Sequence, residues 1–326
     1  MAFRPLSLTF LDPYLLALAG TAGLASLLPA SGPVAGVVDL AVQIAIALLF
    51  FLYGVRLAPA AVREGLIHWR LQLLIFAITF ALFPLVSLAL ATAFQPWLPH
   101  DLALGLLFIG VLPSTVQASI AFTALARGNV PAALCSATLS NLAGMIVTPL
   151  LVALLVSTRG PGIGIAGLRD IAVQLLLPFL AGQLLRPWCG GVVARHRMAV
   201  TVVDRGAILL IVYSAFSHGM TAGIWRTVDP ASLWRIAALA SLMLASVLLA
   251  STLISRWLGF SRQDEIAIVF CGSKKSMASG ISLANILFAG QPVSLIVLPL
   301  MLFHQAQLFA CAMLARRYAA RTETGE

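Results

Sequence analysis

The sequence predicts an all-α membrane protein in which ten transmembrane helices form two inverted five-helix repeats, with the fourth and ninth helices discontinuous. Three observations carry that expectation. The chain is 61% hydrophobic and only 10% charged, whereas a soluble domain carries roughly 25% charged residues. Its apolar runs are long enough to cross a bilayer, which takes about 20 residues each. Short motifs also recur in the two halves at a constant offset.

Dividing the chain at Pro, Gly and charge clusters gives ten segments: 11–28, 34–57, 71–94, 102–125, 131–156, 168–185, 199–219, 233–258, 265–288 and 293–315. The first is read as a retained helix rather than a signal peptide. Arg4 precedes it, but no convincing cleavage site follows. With ten crossings both termini share a side. The segments on that side hold fourteen arginines, against Arg159, Arg169, Arg226 and Arg235 opposite. The excess of basic residues in cytoplasmic loops predicts cytoplasmic termini in an inner membrane. The net charge of +9 does not point to nucleic acid, because the basic residues are scattered between apolar runs. Cys135, Cys271 and Cys311 lie in apolar runs without CxxC or zinc spacing, so packing is their expected role and no metal is expected.

Val38-Asp39 recurs as Val203-Asp204, Phe51-Leu52-Tyr53-Gly54 as Phe216-Ser217-His218-Gly219, and Trp69-Arg70 as Trp234-Arg235, all 165 residues apart. The register then slips, so that Arg127-Gly128-Asn129-Val130-Pro131 faces Phe288-Ala289-Gly290-Gln291-Pro292. The repeats are 1–157 and 158–326. Five spans is an odd number, so the second copy is inverted. Asp39 is expected near the outer face and Asp204 near the inner one. Inverted repeats with interrupted helices are a common plan of secondary transporters.

The ninth segment contains Cys271-Gly272-Ser273-Lys274-Lys275-Ser276-Met277-Ala278-Ser279-Gly280. An ionisable group at membrane depth is costly unless it faces protein or a water-filled cavity, so two lysines among small residues predict a broken helix. The fourth segment corresponds to it in the repeat. There Pro113 removes a backbone donor, and Ser114, Thr115, Gln117 and Ser119 follow. The candidate substrate- or ion-binding residues are these four, with Ser273, Lys274, Lys275, Ser276 and Ser279. Asn141 joins them from mid-span beside Ser140 and Gly144, and His304 and Gln305 join from a polar stripe that also holds Gln307. Plainer roles compete: capping and interhelical hydrogen bonds for the hydroxyls, a loop position for the lysines, an inward polar stripe for the tenth segment. Asn129 is expected to cap the fifth helix, Asp264 and Glu265 the ninth. Trp69 and Trp234 read as interfacial anchors. No nucleophile–base pair, paired carboxylates, HExxH or P-loop stands out, which argues against an enzyme.

The 271–280 stretch, followed by Ala284-Asn285-Ile286-Leu287-Phe288, resembles the bile acid:sodium symporter family, in the branch with solute carrier family 10 member 7 and its bacterial relatives. Leu125-Ala126-Arg127-Gly128-Asn129-Val130, leading toward Thr148-Pro149-Leu150-Leu151, is a second match. The resemblance implies a panel domain of the first, second, sixth and seventh helices and a core domain of the others. The fourth and ninth helices would cross in the core, with substrate bound between core and panel. It also implies organic-anion uptake coupled to sodium. Ser119 matches a sodium-binding serine of the family. Ile120, Ala133, Ala137, Thr79 and Cys271 stand where an asparagine, two hydroxyls, a glutamine and an acidic residue would be expected. Sodium needs oxygen ligands, and a neighbouring ammonium repels it. Two explanations stay open. A lysine replaces the cation, making transport sodium-independent or proton-linked; or the lysines face a cavity and bind the anionic substrate. The expected function is symporter-like secondary transport of a small organic anion across the lipid bilayer. No cofactor is needed, and sodium or a proton serves as the coupling ion. The alternative is a regulatory membrane protein that affects ion homeostasis without net transport.

Overall fold

A computed structural model describes residues 13–56, 68–156, 165–221, 223 and 229–323. The expectations for Arg4, Arg63, Arg159 and Arg226, the repeat boundary at 157/158 and the side chains of Gln117 and Arg169 lie outside the described residues. Among those described the chain is helical, with no strand. The helices are α1 (Pro13–Leu27), α2 (Pro33–Arg56), α3 (Trp69–Ala93), α4 (His100–Val111), α5 (Val116–Leu125) and α6 (Val130–Val156). They continue with α7 (Ile165–Arg195), α8 (Arg197–Thr221), α9 (Pro230–Trp257), α10 (Arg262–Gly272), α11 (Met277–Leu287) and α12 (Val293–Glu323).

Six of them, α2, α3, α6, α8, α9 and α12, are long and apolar enough to cross a membrane. Their outer faces carry leucines such as Leu73, Leu85, Leu150, Leu154 and Leu249, all exposed. In water such surfaces would drive association; in hydrocarbon they cost nothing. The chain is a multi-pass membrane protein. Trp69 and Trp234 stand exposed at the starts of α3 and α9, as expected of interfacial anchors. The expected sixth segment, 168–185, falls inside the longer α7. Arg186-Pro187 ends the apolar run but not the helix, because hydropathy marks where lipid contact stops rather than where the backbone turns.

Two sets of helices pack internally. α2 lies along α7, α1 along α8, and α8 along α2. The remaining helices surround the two short pairs α4/α5 and α10/α11. α2 and α8 run antiparallel and are tied at both ends. Arg56 at the end of α2 pairs with Asp204 near the start of α8 at 2.6 Å. Asp39 near the start of α2 accepts from Ser214 at 3.0 Å and meets His218 Nε2 at 2.9 Å toward the end of α8. α2 and α7 approach closely because Gly54 and Gly182 face each other's backbones.

The start of α10 holds Asp264 and Glu265 in its first turn, where the sequence expects them. Its cap is Ser261, whose Oγ accepts from Asp264 N–H; a hydroxyl three residues before a carboxylate is a capping-box pattern. Asp264 accepts from Ser261 Oγ at 2.8 Å and from Asn129 Nδ2 at 2.8 Å, while Asn129 Oδ1 caps α6 by accepting from Ala132 N–H. Glu265 is buried and joins three helices. Arg256 of α9 donates two hydrogen bonds to it, at 2.9 and 3.0 Å, and Tyr318 of α12 donates one at 2.8 Å. The Arg256 side chain is 54% exposed, so solvent screens the ion pair. Glu265→Gln should therefore cost only about 1–2 kcal/mol. Glu265→Leu, which also strands Tyr318, should cost more. Melting of the purified variants checks that order.

Candidate functional site

Both interruptions fall where the sequence placed them, at 112–115 between α4 and α5 and at 273–276 between α10 and α11. A broken helix leaves carbonyls without intrahelical donors, and in a buried site each must find another partner. In the first break all five carbonyls from Gly110 to Ser114 are matched. Gly110 O and Leu112 O accept from Lys275 Nζ at 2.8 and 2.7 Å. Val111 O accepts from Thr148 Oγ1 at 2.7 Å, Pro113 O from Ser276 N–H at 2.9 Å, and Ser114 O from Asn141 Nδ2 at 2.7 Å. Ser114 N–H, freed from the helix, donates to Ser140 Oγ at 3.0 Å.

The second break is closed from the first in return. Ser114 Oγ donates to Cys271 O at 2.6 Å, and Ser119 Oγ to Phe270 O at 3.1 Å. Gln307 of α12 clamps the Lys275 backbone, accepting from its N–H at 3.0 Å and donating to its carbonyl at 3.1 Å. His304 Nδ1 sits 2.7 Å from Gln307 Nε2. Ser276 caps α11, its Oγ accepting from Ser279 N–H. Ser279 Oγ donates to Asn141 Oδ1 at 3.0 Å, so Asn141 bridges the two interruptions.

A third interruption completes the centre. Within α3, residues Ile78–Leu82 form a π-helical turn. Pro84 explains it. Phe83 N–H donates to Ile78 O, one residue further back than in an α-helix. The next position, Pro84, has no N–H to offer Thr79 O. That carbonyl instead accepts from Lys275 Nζ at 2.8 Å. The Lys275 ammonium thus meets three carbonyl oxygens and lies 4.1 Å from the centre of the Phe83 ring. Lys274 Nζ donates to Ala118 O at 2.7 Å and sits 3.9 Å over Phe122 and 5.2 Å from Phe270. Both lysines are 0% exposed, so the segment that carries them is not a loop in bulk solvent.

Most of the expected residues converge here: Ser114, Ser119, Asn141, Lys274, Lys275, Ser276 and Ser279. Ser273 is buried but bonds within its own helix, to Val269 O. Thr115 is the N-terminal flanking residue of α5 and makes no side-chain cap bond. Gln305 is exposed on α12 and takes no part in these bonds. The sequence had named Gln307, Ser140 and Thr148 only as neighbours or motif members, and gave the carbonyl of Thr79 no role. Pro84 inside an apolar run was the available signal for the last.

Two cavities flank this centre. One, of about 10 Å³, lies where α2 faces the crossing and is lined by Phe50, Tyr53, Pro113, Asn141, Gly144, Met145, Ser279 and Leu283. That is room for no more than one water. A larger one of about 620 Å³ opens at the ends of α2, α7 and α8, beside Arg56, Arg186 and Asp204, and touches neither break.

Comparison with known proteins finds relatives over nearly the whole chain. The profile of the SBF-like CPA transporter family matches residues 12–320. An uncharacterised protein of Pseudomonas aeruginosa is 50% identical over 313 residues, 96% of this chain and 94% of that one. YfeH of Escherichia coli, whose name contains the word symporter, is 45% identical over 96% of this chain and 94% of its own. Sodium/bile acid cotransporter 7 of Rattus norvegicus is 29% identical over 83% of this chain and 81% of its own. With the family profile spanning nearly the whole chain, this protein belongs to the SBF-like CPA transporter family, the bile acid:sodium symporter group.

Proposed function

We propose that the chain is a secondary active transporter of a small organic anion. It works by alternating access between a core of α3–α6 and α9–α12 and a panel of α1, α2, α7 and α8. The carrying observation is the pair of interrupted helices, each closed by side chains of the other, with Asn141 and Ser279 at the seam facing α2. Polar groups that break helices at membrane depth are costly and mark a site. The anion reading rests on the N-terminal ends of α5 and α11, where the positive ends of the helix dipoles favour negative charge, and on family kinship. In this closed state the cavity beside Tyr53 is too small for a ligand, so substrate entry requires core and panel to separate.

Ten crossings in two inverted halves, 1–157 and 158–326, fit the packing. The contacts of α2 with α7 are mirrored by those of α8 with α1, those of α4 with α12 by those of α10 with α6, and those of α5 with α6 by those of α11 with α12. The repeat counterparts Asp39 and Asp204 each tie α2 to α8, through His218 and Arg56 respectively. We place both termini in the cytoplasm and the protein in the inner membrane, from the arginine distribution. Purified protein in lipid vesicles should take up a member of a panel of carboxylate, sulfonate and steroid-conjugate anions under a sodium or proton gradient. If no anion moves under either gradient, the chain is instead a regulatory membrane protein that affects ion homeostasis without net transport.

A further inference from the structure

We propose that Lys275 is a resident cation, tethered by its own side chain in the place a transported metal cation would need, and that the protein works without binding sodium. This rests on the transporter reading and decides its coupling. Its warrant is the hydrogen-bond accounting at the crossing. A metal cation held by broken helices takes backbone carbonyl oxygens and, in most sites, a carboxylate. Here the carbonyls bared by the α3 π-turn and by the end of α4 converge on one point, and the Lys275 ammonium fills it with all three of its donors. Val111 O, Pro113 O, Ser114 O, Phe270 O and Cys271 O are each taken by a protein donor. Among the described residues no cluster of three or more His, Cys, Asp or Glu side chains exists that could hold a metal ion. Cys271 Sγ, the side chain at the second break that could have been acidic, donates to Ala133 O at 3.6 Å.

The geometry also separates Lys275 from substrate. Its backbone is clamped by Gln307 and the next residue is pinned to Pro113 O. Neither lysine lines the cavity beside Tyr53. Of the two explanations the sequence left open, the arrangement therefore favours cation replacement. The positive charge sits against the C-terminal end of α4, where the helix dipole is negative. It does there permanently what a coupling ion does only while bound.

The test is thermal melting of the purified full chain, read by a thiol-reactive dye as the buried cysteines Cys135, Cys271 and Cys311 become exposed. Wild-type protein should melt at one temperature in sodium, potassium and choline chloride of equal ionic strength. A bound sodium ion at about 100 times its Kd would raise the midpoint by roughly 5 °C or more, and a saturable rise specific to sodium would overturn the proposal. Lys275→Met, which keeps the stem and deletes the charge, should melt at least about 10 °C lower or fail to fold, because three buried carbonyls lose their donor. A wild-type midpoint in that variant would overturn the proposal as well. Because anion flux is not read here, the outcomes separate cleanly. Sodium-dependent melting sinks the resident cation and leaves the transporter intact; sodium-indifferent melting with no flux of any anion does the reverse.

Discussion

An Asn141→Leu variant should lose most of its transport and melt well below the parent protein. Leucine keeps the branching of asparagine at Cγ while adding bulk, so the change removes every hydrogen bond of the side chain. Asn141 donates to Ser114 O at 2.7 Å in the first break and accepts from Ser279 Oγ at 3.0 Å after the second. Its side chain thus links the first interruption to the helix that follows the second. A buried polar group left without a partner costs about 1–3 kcal/mol. Ser114 O is orphaned outright, while Ser279 keeps its bond from Ser276 Oγ. A total of about 2–4 kcal/mol, or roughly 5–15 °C in the melting midpoint, is expected. Flux of whichever anion the vesicle screen identifies should fall at least about tenfold, since a Å-scale error in a positioned site costs that much or more. Ser140→Ala is the comparison. It removes the acceptor of Ser114 N–H but leaves the link between the breaks, so it should lose stability with a smaller loss of flux. If Asn141→Leu melts and transports like the parent, the seam between the interruptions is not the working centre.

Gly54→Val and Gly182→Val should each prevent recovery of stable protein. A Cβ on Gly54 would lie 2.1 Å from Phe179 O, and one on Gly182 would lie 2.1 Å from Phe51 O. Both obstacles are backbone carbonyls inside helices, so no rotamer change relieves them. α2 and α7 would have to part by about 1 Å or more, and a close-packed interior does not absorb that locally. Parting them also stretches the bond from Gln183 Nε2 to Gly54 O. Even alanine at either position should cost more than about 3 kcal/mol, seen as aggregation or a midpoint at least about 6 °C lower. Gly36→Ala in α2 and Gly206→Ala in α8 are the controls. Nothing lies within 4 Å of either Cβ position, so each should be neutral or slightly stabilising, as alanine outranks glycine in a helix by about 1 kcal/mol. The Gly54→Ala/Gly182→Ala pair should cost less than the sum of its members, because helices already parted by one methyl have room for the other.

The crossing was legible in the sequence to the extent that each feature announces itself along the chain. Pro113 and the Lys274-Lys275 pair each disrupt an apolar run, so the breaks could be placed within a residue or two. Asn141 stood out as an amide in mid-span. The partners could not be read, because they depend on which carbonyls an interruption bares and which distant side chains lie opposite. Thr148 and Gln307 bond residues tens of positions away. The partners of the first turn of α10 could not be read for a related reason. Ser261, Asp264 and Glu265 are all plausible at a helix start, and only the packing of α9 and α12 against α10 draws Glu265 to Arg256 and Tyr318 instead.

By itself the sequence determined the membrane setting, the all-helical character, the two interruptions and the family, because hydropathy, proline and unshielded charge act locally and lipid punishes any backbone that leaves its donors and acceptors unmatched. Only the tertiary structure decided where the lysines lie and which groups they meet. An ammonium on a flexible stem serves equally well as a ligand for an anion or as a substitute for a cation. Three carbonyls from α3 and α4 converge on Lys275 and protein packs over it completely, and the proposed cation replacement rests on that geometry.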